Sequence, residues 1–115
     1  MRTALRGLVV SALAVCSASG QQGPTEDVRK GHQLAIILCA NCHVAAPDQP
    51  SIPVLNPAAP SFQSLAQRRD LTSEALEKFI TTTHRGLDNP NGMPNPSLAD
   101  YQVKQVVAYL LSLRN

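Results

Sequence analysis

An all-α fold of about four helices is what this sequence of 115 residues predicts, and three observations carry the prediction. From about Ala99 to Leu113, the apolar residues Val103, Val106, Val107, Leu110, Leu111 and Leu113 recur with the 3.6-residue period of one helix face. Two earlier segments open on helix-starting residues: Thr25 before Glu26 and Asp27, and Thr72 between Leu71 and Leu76. Prolines 47, 50, 53, 57 and 60 are crowded into one stretch of almost no charge, which separates the helical regions instead of interrupting them. The length allows one domain, and 9 Pro with 6 Gly are too few for a disordered or collagenous chain. No run approaches the roughly 20 apolar residues of a membrane span.

Residues 1–20 read as a secretory signal, with basic Arg2 and Arg6, an apolar stretch from Leu8 to Val15, and small residues Ala18, Ser19 and Gly20 at the cleavage site. The mature domain is then residues 21–115, exported to the periplasm. A lipoprotein is the rival reading, with Cys16 acylated, and only in that case does the chain meet a membrane; Val15 is bulky for the position before such a cysteine. Without Arg2 and Arg6 the 10 basic residues fall to 8, which balances the 8 acidic ones. The net charge of +2 therefore belongs to the signal, and no nucleic-acid partner is expected.

The first helix is capped by Thr25, carries its acids where the dipole favours them, and gathers apolar residues from Leu34 to Leu38 as it nears Cys39. Gly31 within it costs about 1 kcal/mol relative to Ala, which a close helix crossing would explain. Ala45 to Pro60 is a loop without helix. Ser61 to Gln67 forms a short helix presenting Phe62 and Leu65. Thr72 caps a third helix, with Leu71 and Leu76 as a staple, Leu76, Phe79 and Ile80 facing inward, and Arg85 and Gly86 at its end. On the last helix Tyr101 lies off the apolar stripe and Tyr109 adjoins it, so Tyr109 is the packed one. His32 falls on the polar side of the first helix, facing solvent.

The mature chain keeps two cysteines, Cys39 and Cys42, with His43 directly after them. This string, CANCH, has the CxxCH pattern of covalent c-type haem attachment. Thiols about one helical turn apart can add across the two vinyl groups of one porphyrin, while the adjacent imidazole reaches the iron. A thioredoxin-type dithiol would want a strand-helix context, and half a zinc site would need two more ligands at short spacing. For the opposite side of the iron the candidate is Met93, the one methionine besides Met1. It sits among Asn91, Gly92, Pro94, Asn95 and Pro96, turn residues that offer an apolar side chain no core stripe to join. His84, nine residues earlier, is a competing ligand, a partner for a haem propionate, or a residue that bonds the carbonyls of a helix end.

CANCH near the mature N-terminus, Gly-Met-Pro about fifty residues later, and a closing helix with Val106-Val107-Ala108-Tyr109-Leu110 resemble class I bacterial cytochrome c from about Thr25 to Arg114. The resemblance implies the cytochrome c fold, about four helices around one covalently bound haem c, attached through Cys39 and Cys42 with His43 and Met93 as axial ligands. It also implies that Gly31 packs against Tyr109, and that a loop proline offers its carbonyl to the His43 ring, which one being left open. Ala35 stands where the family often has an aromatic, so the contact between the terminal helices is expected to be thinner or differently filled.

With both axial positions filled by protein, the chemistry left is outer-sphere electron transfer. The expected function is a periplasmic single-electron carrier and not an enzyme, since no carboxylate pair or His/Arg cluster accompanies the haem motif. Its expected partners are a redox donor, such as a dehydrogenase or quinol-oxidising complex, and a terminal oxidase or reductase. A haem subunit of a periplasmic oxidoreductase complex and a haem-based gas sensor are the alternatives; rapid carbon monoxide binding would favour the sensor. With only Lys30, Lys78 and Lys104 as lysines, docking through an apolar patch with weak salt dependence is expected.

Overall fold

A computed structural model describes residues 24–114, and the expected signal with Cys16 lies outside them. The described chain is helical: α1 (Glu26–Leu34) runs into a π-helical turn (Ala35–Cys39), followed by α2 (Phe62–Ala66), α3 (Ser73–Ile80) and α4 (Asp100–Ser112). The all-α expectation holds, and no helix among the described residues is long and apolar enough to cross a membrane.

Thr25 and Thr72 cap their helices as the sequence predicts, and Ser61 proves to be a third cap. Thr25 accepts from the Val28 amide at 3.3 Å, Ser61 from Ser64 at 3.1 Å and Thr72 from Ala75 at 3.1 Å, each satisfying an amide that has no partner within its helix. The N-cap of α4 is Ala99, which has no side-chain acceptor, but Gln102 accepts from the Ala99 amide at 3.0 Å and supplies half of a capping box.

α4 is the element on which the other three pack. It buries Val103, Val106, Val107, Tyr109 and Leu110, leaves Leu111 and Leu113 half-buried, and exposes Tyr101, as its periodicity requires. α1 crosses it at Gly31, where an added Cβ would run into the Gln105 carbonyl and come within 2.8 Å of the Tyr109 Cβ. The missing side chain lets the two backbones meet directly. Ala35, four residues further along the chain, is fully buried. α2 and α4 cap each other's C-terminal ends: Gln63 and Gln67 donate to the Leu113 carbonyl at 3.2 and 3.4 Å, and Arg114 donates to the carbonyls of Ala66, Arg68 and Leu71.

Three expectations need correction. α3 ends at Ile80 and not at Arg85–Gly86, because Thr81 and Thr82 turn their hydroxyls onto the carbonyls of Glu77 and Lys78 and close the helix without a glycine. Leu76 and Ile80 of α3 are buried, but Phe79 is 46% exposed and packs on His84. His32 does not face solvent freely: its ring is edge-on to Tyr109 with centroids 5.1 Å apart, and its Nε2 bonds Asp48 at 2.8 Å.

Candidate functional site

The run Ala35–Cys39 changes hydrogen-bond register before the CANCH string, with the Ala40 amide donating to the Ala35 carbonyl five residues back. The chain then folds tightly. The amides of Cys42 and His43 both donate to the Cys39 carbonyl, at 3.1 and 2.9 Å, so the two cysteines stand about one turn apart, as their spacing predicts. Both are free thiols and half-buried. Burial pushes the Cys39 thiol up to about 11, and the neighbouring Cys42 adds to the rise. These surroundings penalise a thiolate and cost a neutral thioether nothing.

The proline-rich segment contains no helix and lies along this turn. Val54, Ala59 and Phe62 donate to the carbonyls of Asn41, Cys42 and Val44 at 2.9, 2.9 and 3.0 Å, which binds the loop and the start of α2 to the cysteine turn residue by residue. Gln49 serves the same segment from within: its Oε1 accepts from the amides of Ala45 and Ala46 at 2.6 and 3.2 Å, and its Nε2 donates to Ser51 and His43. The segment thus sets the His43 ring. Nδ1 lies 2.7 Å from the Pro60 carbonyl, which can only accept, so Nδ1 carries the proton and Nε2 of the neutral ring holds the lone pair. No hydrogen bond reaches Nε2 among the described residues, and Phe62 stands edge-on to the ring at 5.5 Å.

Met93 is half-buried against the core in a segment without helix, between α3 and α4. Its carbonyl accepts from the His84 amide at 2.7 Å. Arg85 donates to the Gly92 carbonyl at 3.3 Å, and Asn95 donates to the Thr81 carbonyl at 2.8 Å while accepting from Ser97, a residue in the left-handed region with φ of 56°. His84 is occupied by a helix end: its Nε2 donates to the Phe79 carbonyl at 3.2 Å and its ring stacks on Phe79. This is the contact with a helix-end carbonyl that the sequence offers as one of its roles.

Two half-buried thiols on one turn, an imidazole whose outer nitrogen has no hydrogen bond among the described residues, and a half-buried thioether on a separate segment are side chains of the kind that fit a c-type haem. A cytochrome c family model matches residues 28–114, which include Cys39, Cys42, His43 and Met93. The chain belongs to the cytochrome c family. The cytochrome is 37% identical to cytochrome c-552 of Bradyrhizobium diazoefficiens over 114 residues, 99% of each chain. No solved structure matches it. As a class I c-type cytochrome it is a haem-based electron carrier.

What sequence reasoning missed around the cytochrome's site is a set of polar side chains that hold loops. Gln49, Arg85 and Asn95 act on backbone groups, and Gln105, buried on α4, donates to Asp27 at 3.3 Å. Such residues carry no motif; the one signal available was that Asn95 lies between two prolines, where a turn needs a local hydrogen bond.

Proposed function

We propose that Cys39 and Cys42 hold one haem c covalently as thioethers, with His43 and Met93 as its axial ligands, and that the exported chain carries single electrons between periplasmic redox proteins. The observation that carries this reading is the Pro60 carbonyl on Nδ1 of His43, 2.7 Å away, which fixes the tautomer whose Nε2 is a metal donor. Cys39, in surroundings that disfavour a thiolate, suits a neutral thioether. When bound, the haem supplies a one-electron couple at its iron.

The chain's own residues do the rest. Pro60 and Phe62 orient His43, the His84 amide restrains Met93, and the soft sulfur of Met93, as a ligand, would raise the potential above that of two imidazoles. With His43 and Met93 both holding the haem, no position would be left for a substrate, which favours a carrier over an enzyme. Export is supported by the character of residues 1–20, whose removal leaves basic and acidic residues equal in number at 8 each. That balance supports docking through apolar contact with weak salt dependence. The proposed partners are a dehydrogenase or quinol-oxidising donor and a terminal oxidase or reductase acceptor.

The test is Met93→Ala in the haem-loaded protein. It is expected to abolish the weak far-red absorption band of methionine-ligated haem and to lower the midpoint potential; an unchanged band and potential would remove Met93 from the site. Mass spectrometry of the same preparation checks the covalent haem and the mature N-terminus together.

A further inference from the structure

We infer that His84 is the residue that positions Met93, by splinting the loop that carries it to the last turn of α3. The inference rests on the proposed role of Met93 as a ligand. Residues 84–97 contain no helix, and a segment of this kind opens more easily than the helices beside it. Within it, the short hydrogen bond to the Met93 carbonyl, 2.7 Å, comes from the backbone of His84. Where that amide stands depends on where the His84 ring is held. The ring lies flat on Phe79, with centroids 3.8 Å apart and planes at 15°, and its Nε2 donates to the Phe79 carbonyl at 3.2 Å. Phe79 belongs to α3, which buries Leu76 and Ile80, so the ring is fixed to a packed element.

The loop closes on the other side of the same residue. The His84 carbonyl accepts from Asn89 Nδ2 at 3.1 Å, and the Gly92 backbone presses on that carbonyl so closely that a Cβ there would collide with it. His84 is therefore gripped by its ring from α3 and by both its amide and its carbonyl from the loop of Met93. Phe79 gives independent support: it is a large aromatic left half-exposed, and its stacking partner is His84. Asn95, which donates to the Thr81 carbonyl, and Met93, half-buried against the core that Leu76 and Ile80 help form, also hold the loop, so losing the His84 ring loosens the loop without unfolding the protein.

The experiment compares haem-loaded wild type with His84→Ala, His84→Phe, Phe79→Leu and Met93→Ala. Three quantities are read: loss of the far-red band with denaturant, loss of far-UV helicity in the same titration, and hydrogen exchange of the backbone amide at position 84. In His84→Ala and Phe79→Leu the band is expected to disappear at lower denaturant than helicity, and exchange at position 84 to accelerate about tenfold or more. His84→Phe keeps the stack and is expected to recover most of the difference. Band and helicity shifting together, or exchange at position 84 unchanged, would show that His84 only caps α3 and would overturn the inference. Should His84→Ala fail to fold, Phe79→Leu and His84→Phe decide in the same way. Failure of the ligand reading is separate: it appears as a band that survives Met93→Ala, whereas exchange at position 84 reports the splint independently of ligation.

Discussion

The orientation of the His43 ring is set by a carbonyl seventeen residues further along the chain. The motif names His43, but no side chain announces Pro60, because the group that acts is backbone and any of five prolines offers one. His32 shows the same limit: its helix face predicts exposure, yet Asp48 and Tyr109 arrive from a loop and another helix to half-bury it. The hydrogen bond from His32 holds the Asp48 carboxyl below the ordinary carboxylate range. A depressed carboxylate contributes stability that is fully present above its unfolded pKa, about 3.9, and is lost as pH falls through the lower folded value. His32→Ala is therefore expected to return the Asp48 titration, followed by NMR, upward toward its ordinary range and to flatten that acid limb. An unmoved Asp48 titration would mean that the pair does not hold in solution.

The crossing of α1 and α4 is where two opposing effects can be weighed. Replacing Gly31 by alanine gains about 1 kcal/mol of helix propensity. The new Cβ, however, falls on the Gln105 carbonyl, and parting two packed helices costs about 3 kcal/mol, so the clash wins. Gly31→Ala is expected to lower stability by about 2 kcal/mol net in chemical denaturation, where an exposed helical glycine would raise it. Helix starts were legible in the sequence because a cap is a local event between residues three apart, as at Thr25 and Thr72. The π-helical turn before Cys39 and the early end of α3 were not. A one-residue change of hydrogen-bond register leaves no trace in a run such as Ala-Ile-Ile-Leu-Cys, and Thr81 and Thr82 compete for carbonyls only once the helix exists.

The protein's own core is thin. Among the described residues, five of the thirteen buried apolar residues are alanines, whereas Ile37, Ile52 and Val54 are 69%, 85% and 82% exposed. Chains this short usually need a staple, and the proposed thioethers at Cys39 and Cys42 provide one. The Cys39→Ala, Cys42→Ala double variant is accordingly expected to lose most of its far-UV helicity; retention of native helicity would show that α1, α3 and α4 suffice without the cofactor.

Adjacent residues and short periods specified the attachment string, the helix starts, the apolar face of α4 and the loop nature of the proline-rich stretch, because each is a matter of chemistry within a few positions. Assembly alone selected the Pro60 carbonyl, the half-burial of His32, the Phe79–His84 stack and the reciprocal caps of α2 and α4. Those partners lie from five positions apart, as Phe79 and His84 do, to seventy-seven, as His32 and Tyr109 do, and hydrogen bonds and ring contacts form between whichever groups the packed helices bring within reach.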